Sequence, residues 1–376
     1  MINDSVELQA ICNINMGQSP DSSSYNQEND GIPFFQGNAD FGDMYPVTRV
    51  WCSKPTKIAN AGDLLLSVRA PIGALNFATE ECCIGRGLAA ISPVNEKVNI
   101  KYIYYALKSK NQELNNKGTG STFKAINKGS LSEVKIPNIV ITEQNNCVEK
   151  LDRVCKVIKH RKTQLNELDN LIKSRFVEMF GDIKNNVVNC PVKKIADFTE
   201  VLTGATPNRA VPEYFGGNIP WVKTGEISKG HIFEAEEYIT EKAVNETNCK
   251  LLPSKTIMIA MYGQGKTRGQ AGILEIEAST NQACAAILPN LEYNTLFMFS
   301  QLDLRYNDLR EMGRGGNQPN LNLSMVKNFE VLYPKIELQN EFATFVQQVD
   351  KLKVEVQKSL DETQLLFNSL MKKYFE

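Results

Sequence analysis

Several things are scarce in this chain of 376 residues, and each scarcity removes a class of function. It has no run of about 18 apolar residues, so no membrane span is expected. Its start, "MINDSVELQA", lacks the basic and apolar segments of a secretory signal. It has nine cysteines but no C-x-x-C; the only close pair is the adjacent Cys82-Cys83, and that spacing suits neither a disulfide framework nor a zinc site. These features predict a reduced, cytoplasmic protein with no metal. Only two histidines are present. His160 falls in a long amphipathic pattern and His231 follows the Lys229-Gly230 turn, so both are read as solvated surface and not as oriented imidazoles of a nucleophilic triad. Net charge is also scarce, at −1. A length of this order allows two domains, each with its own core.

What is present is a duplication. "MGQSPDSSSYNQENDGIPFF" (16–35) parallels "LTGATPNRAVPEYFGGNIPWV" (202–222), with Gly17 and Pro20 answering Gly204 and Pro207 at an offset of 187. "LLLSV" (64–68) answers "IMIAM" (257–261) at offset 193, "AAISP" (89–93) answers "AAILP" (285–289) at 196, and "VKIP" (134–137) answers "VLYP" (331–334) at 197. The matches keep their order, as insertions in a second copy would require. Short apolar runs bounded by Gly, Pro and Ser predict buried strands. "IKYIYYALKS" (100–109) and "TLFMFSQLDLR" (295–305) predict helices at corresponding places.

Each copy closes on a long helical pattern. The first spans 143–180, with columns Leu151, Ile158, Leu165, Ile172, Met179 and Val154, Arg161, Leu168, Arg175. The second spans 338–376, with columns Phe342, Val349, Val356, Thr363, Leu370 and Phe345, Leu352, Ser359, Leu366, Lys373. The two registers are matched at an offset of 198, which aligns Arg161 with Ser359 and Arg175 with Lys373. Such stripes are helix-pairing seams, and helices of this size reach about 55 Å. The expected pairing residues are Leu151, Val154, Ile158, Leu165, Leu168, Ile172, Phe342, Phe345, Val349, Leu352, Val356, Leu366 and Leu370, with Val349 and Leu352 as places to break the pairing. The fold class is therefore α+β: two pseudo-symmetric mixed α/β domains, 1–142 and 181–337, separated by an antiparallel coiled coil of two long helices.

One motif points elsewhere. "AMYGQGKTRGQ" (260–270) contains Ala260-x-x-x-x-Gly265-Lys266-Thr267, a relaxed phosphate-loop pattern that would make the chain a nucleotide hydrolase. A true phosphate loop opens a helix, whereas "RGQAGILEIEAS" after Thr267 carries two glycines and then alternates like a strand. Its counterpart "SVRAPIGALNFA" has no Gly-Lys-Ser/Thr, and Gly73 there answers Gly269. The stretch reads as a strand–loop–strand tip.

The loops that differ between the copies are rich in amides, hydroxyls, glycine and basic residues. Arg or Lys can bind guanine O6 and N7, Asn or Gln can bind adenine N6 and N7, and hydroxyls and amides suit phosphates. Candidate contacts to DNA in the first domain are Gln36, Asn38, Arg69, Arg86, Lys117, Ser121, Thr122 and Lys124. In the second they are Asn208, Arg209, Lys223, Thr224, Gln264, Lys266, Arg268, Gln282, Arg314, Asn317 and Gln318. The balanced charge requires either a focused basic face or partners that share the backbone grip.

Over essentially its whole length the chain resembles the specificity subunits of type I restriction–modification systems. The resemblance rests on the alternation of two domains with two long helices and on "IPNIVITEQN" (136–145), "LDNLIKSRFVEMFGD" (168–182), "LFNSLMKKYF" (366–375) and "GNQPNLNLSMVKNFEVLYP" (316–334). It implies a non-catalytic subunit in which each domain reads one half of a split, asymmetric double-stranded DNA target. It implies also that the helix pair sets the gap and docks two methyltransferase subunits, and that an endonuclease and translocase subunit joins them. S-adenosylmethionine, ATP and magnesium would then belong to those partners, with no cofactor in this chain. Glu143-Gln144 at the start of the first helix is matched to Asn340-Glu341 in the second, a departure from the family's carboxylate-Gln pattern. A coiled-coil assembly protein without DNA binding, or a nucleotide hydrolase using Gly265-Lys266-Thr267, are the alternatives.

Overall fold

The structure, a computed structural model, describes residues 4–118, 124–183, 186, 188–227, 230–313 and 320–376. They form two compact units, Met1–Lys162 with Lys358–Glu376, and Thr163–Gln357.

In the first unit the all-apolar run at 64–66 is too short for a stable helix and is buried on both faces as the strand Leu64–Ser67. It lies in an antiparallel sheet of order Cys12–Met16, Leu88–Pro93, Leu64–Ser67, Leu75–Phe77. The second unit repeats this order with Val201–Thr203, Cys284–Ile287, Ile257–Ala260 and Ala271–Leu274, and adds the parallel edge strand His231–Ile232. Each unit also has a parallel pair beside the sheet. These are Ile32–Phe35 with Cys82–Ile84, and Phe215–Val222 with Ser279–Thr280. Each has an antiparallel ribbon joining its ends: Ser5–Glu7 with Lys135–Pro137, and Val192–Lys194 with Glu330–Leu332. Gly17 and Gly204 are required by close approach. A Cβ on Gly17 would lie 2.2 Å from the Gly85 carbonyl oxygen, and one on Gly204 would lie 1.9 Å from that of Thr280.

The helices Ile100–Ser109 and Thr295–Leu304 start on Asn99 and Asn294, whose side chains accept from the next turn's N–H groups. The backbone N–H of Asn99 donates to Gln144 Oε1 at 2.8 Å, and that of Asn294 to Gln339 Oε1 at 2.9 Å. Asn99 Nδ2 donates to Asn145 Oδ1 at 2.7 Å and Asn294 Nδ2 to Asn340 Oδ1 at 2.8 Å. The counterpart of Gln144 is therefore Gln339, buried and bonded to the Pro334 carbonyl, and the match to Asn340-Glu341 is corrected.

The long helices run Ile141–Phe180 and Ile336–Phe375, forty residues each and about 60 Å at 1.5 Å per residue. Both begin two residues before the expected starts. Start and end are each displaced by 195, so the offset of 198 is also corrected. At 195, the buried Cys147, Val148, Leu151, Phe176 and Phe180 answer the buried Phe342, Ala343, Val346, Met371 and Phe375. The physical cause is a second apolar stripe on the later helix: Leu352 and Leu366 look like seam residues but are each 50% exposed. The seam uses their neighbours Lys353 and Phe367. Phe367 is buried, and Lys353 is half-buried along its stem, with its ammonium 2.8 Å from Asp169 Oδ1. The other eleven expected pairing residues are buried or half-buried.

Within each unit the helical segments run antiparallel. In the first, the ring of Tyr102, against which Cys147 packs, lies 5.2 Å from that of Phe375, while Tyr105, which bonds Asp152, lies 6.4 Å from Phe367. In the second, Phe180 and Phe176 meet Phe342, Arg175 bonds Glu341, and Asp169 bonds Lys353. No helix among the described residues is long and apolar enough to cross a membrane.

Candidate nucleic-acid interface

The tip at 261–270 links two antiparallel strands, with Ile259 opposite Ala271. Ala260 N–H donates to the Gln270 carbonyl (3.0 Å) and Gly269 N–H to that of Ala260 (2.8 Å). No helix begins at Gly265-Lys266-Thr267, so its amides do not form the helix N-terminus on which a phosphate loop depends. The first-copy tip closes in the same way, Gly73 N–H donating to the Ser67 carbonyl (2.9 Å). Gly73 and Gly269 share a left-handed backbone, φ 91° and 86°, which explains the matched glycines.

In the first unit, four backbone segments join side by side at the end of the sheet. Gly87 N–H donates to the Gln36 carbonyl, Val68 N–H to Gly87, and Ile126 N–H to Val68, while Arg69 bridges Ala125. Gln36, Arg86, Arg69 and Lys124 thus lie in sequence-distant segments that become neighbours, and all four are exposed. Asn38 starts the half-exposed turn next to Gln36. Gln36 Nε2 donates to Ser19 Oγ at 3.0 Å, and Arg86 N–H donates to the same oxygen at 3.2 Å. With Tyr25, Phe34, Asp40 and Val50 they line a cleft of about 510 Å³.

The second unit builds a similar row from other residues, except that Ala283 N–H, the counterpart of Gly87 N–H, donates to Asn281 Oδ1 at 2.9 Å. Val222 pairs with Thr280, Met261 N–H donates to Ala283, and Leu321 N–H to Met261. Lys223 therefore takes the place of Gln36, Gln282 that of Arg86, and Thr206 that of Ser19. Thr206 Oγ1 donates to Gln282 Oε1 at 2.6 Å, beside a cleft of about 580 Å³ that Lys250 and Lys327 also line. Gln264 and Lys266 are exposed on the tip, and Arg268 is half-buried at its base.

Other candidates are engaged within the protein. Arg209 binds Glu237 through both terminal nitrogens and lies over the Phe215 and Trp221 rings, at 4.7 and 5.5 Å. Lys223 Nζ stands 3.5 Å from the same carboxylate and 3.8 Å from Glu236. Hydrogen bonds from Arg209 hold the Glu237 carboxyl below its ordinary value. Lys117 pairs with Glu113 one helical turn away. Asn208 accepts from Ala210 N–H in its own turn, and Thr224 opens the short helix Thr224–Ile227. Ser121, Thr122, Arg314, Asn317 and Gln318 lie outside the described residues. His231 is not merely solvated: its Nδ1 is 2.7 Å from Glu275 Oε1.

Sequence reasoning missed Ser19 and Thr206, though each follows a matched glycine by two residues. It also missed Asn111, Asn115, Tyr306 and Arg310, whose side chains hold the tips. Residue types differ between the two pairs, so no sequence match marks them; their common displacement of 195 emerges from the structure. Among the described residues no group of three or more His, Cys, Asp or Glu is placed to hold a metal ion.

A family model described as the type I restriction modification DNA specificity domain matches residues 3–170 and 188–363. A putative type I restriction enzyme MjaX specificity subunit of Methanocaldococcus jannaschii is 40% identical over 158 residues, 42% of this chain and 37% of that relative. The MjaIX specificity subunit of the same organism is 25% identical over 337 residues, 84% of this chain and 77% of that one. The match thus spans little over a third of the first relative and about three quarters of the second. A crystal structure of a type I restriction–modification S subunit from M. genitalium has a TM-score of 0.61 at 16% identity, covering 99% of this chain and 96% of that one. A chain from work on complex assembly and conformational transition of the type I system has a TM-score of 0.65 at 14% identity, covering 100% and 98%. At those identities the structural likeness is one of fold.

Proposed function

The chain belongs to the type I restriction–modification DNA specificity family, and on that premise we propose that it is the non-catalytic reader of such a system, each unit reading one half of a split, asymmetric target in double-stranded DNA. The functional division takes 1–142 and 181–337 as recognition domains, with the remainder of the helices Ile141–Phe180 and Ile336–Phe375 as spacers.

The observation that supports this reading is the repeated row. Corresponding backbone segments carry Ser19, Gln36 and Arg86 in the first unit and Thr206, Lys223 and Gln282 in the second, with Lys223 drawn towards Glu236 and Glu237. A scaffold built twice with exchanged side chains suits a task done twice on different sequences. Arg86 has the donors for guanine, and Gln282 the donor and acceptor for adenine. The exposed Lys124 and Lys266 suit phosphates. Arg209, committed to Glu237, is set aside as a base reader.

The helix pair sets the gap between the half-sites and docks two methyltransferase subunits, which an endonuclease and translocase subunit joins. Half-sites one turn apart are separated by about 34 Å along the duplex, and a helix of about 60 Å is long enough to span that. S-adenosylmethionine, ATP and magnesium are assigned to the partners, and the complex works in the cytoplasm. A net charge of −1 accords with partners that share the phosphate contacts.

The test is methylation mapping after co-expression with the cognate methyltransferase. One bipartite motif is expected, and exchanging residues 181–337 for those of another such chain should change one half of it only. A methylation pattern indifferent to that exchange would overturn the reading.

A further inference from the structure

Behind each hairpin tip lies a short helix, Asn111–Lys117 in the first unit and Tyr306–Glu311 in the second. Each presents two side chains at i and i+4, one face of a helix, and both reach carbonyls of the tip. Asn111 Nδ2 donates to Gly73 O at 3.1 Å and Asn115 Nδ2 to Ile72 O at 3.0 Å. Tyr306 Oη donates to Lys266 O at 2.6 Å, and Arg310 Nη1 to Arg268 O at 3.4 Å. The pairs are also tied to each other, Asn115 Nδ2 to Asn111 Oδ1 at 2.8 Å and Arg310 Nη1 to Tyr306 Oη at 2.8 Å. Two different chemistries thus do one thing at one displacement of 195.

We infer that these helices are splints and that Tyr306–Arg310 and Asn111–Asn115 are positioning residues, which hold the tips in the conformation that reads DNA without touching DNA themselves; the inference rests on the DNA-reading function proposed above. A glycine-rich tip left free would have to be ordered at the moment of binding, and that entropy would be lost equally on right and wrong sequences. Carbonyls already tied to a helix spare that loss and fix where the Gln264 and Lys266 side chains start. Placement on a rigid support is what sequence discrimination demands of a loop.

The test uses the full chain with its methyltransferase partners, a pool of randomised duplexes, and Tyr306→Phe combined with Arg310→Ala. Hydrogen exchange at the Thr267, Gly269 and Gln270 amides should quicken about tenfold or more. Base preference should fall about tenfold in the half-site read by residues 181–337, with the other half and the thermal midpoint unchanged. Arg310→Lys, which keeps a cationic donor, should preserve both readouts. Unchanged exchange overturns the splint. Faster exchange with unaltered base preference overturns its role in reading. A wild-type chain that enriches no sequence overturns the DNA-reading premise instead, and the exchange result then stands as the measure of the splint alone.

Discussion

The two copies agree closely where the long helices begin and differ where the hairpin tips are held. At the helix starts Asn99, Gln144 and Asn145 reproduce Asn294, Gln339 and Asn340, with matching hydrogen bonds that agree within 0.1 Å. At the tips, two asparagines in one copy do the work of a tyrosine and an arginine in the other. Gln144 and Gln339 are 7% and 0% exposed, so a bond left unmade there keeps its full desolvation penalty. At the tips the held residues range from buried Ile72 and Gly73 through half-buried Arg268 to exposed Lys266, and side chains of different shape reach their carbonyls.

The hardest break of the comparison lies just beyond the shared helix start. Phe342 sits among Phe176, Phe180 and Phe297, whereas Cys147 holds the same place in the first copy. Phe342→Ala should cost about 3–5 kcal/mol in chemical denaturation of the full chain, and Cys147→Ala about 1 kcal/mol. Next, Gln339→Leu and Gln144→Leu should each cost about 2–4 kcal/mol, since each strands a half-buried N–H and at least one carbonyl. Clearly unequal losses would show that the two clamps are not equivalent.

The row of exchanged side chains offers a finer break. Arg86→Ala and Gln282→Ala should each lower discrimination by about 1–3 kcal/mol at one base pair, in opposite halves of the mapped methylation motif. Along the seam, Val349→Ala should cost about 2 kcal/mol, while Leu352→Ala should stay within about 0.5 kcal/mol.

The smallest effect concerns Glu237. Its folded carboxyl titrates below its ordinary 4.5. The stabilisation from the Arg209 pair is therefore complete above pH 4.5 and lost as pH falls through the lower folded value. Glu237→Gln should remove that part of the acid dependence of the thermal midpoint. An unchanged acid profile would show that the pair contributes nothing to stability, as many exposed ion pairs do not.

By itself the sequence determined the duplication, the buried strands, the presence of two long helices and the strand–loop–strand character of the phosphate-loop look-alike. Each is written in local order, apolar period and glycine placement, which act over a few residues. Tertiary structure alone decided the phase of the second long helix. Leu352 and Leu366 make as good a stripe as Lys353 and Phe367 on paper, because the periods 3.5 and 3.6 drift apart along a helix. Only the facing segment selects which stripe is buried. It also decided that Arg209, apparently free in its loop, is held by a carboxylate 28 residues away. And it brought Gln36, Arg86, Arg69 and Lys124 into one row through backbone hydrogen bonds between segments that no local pattern connects.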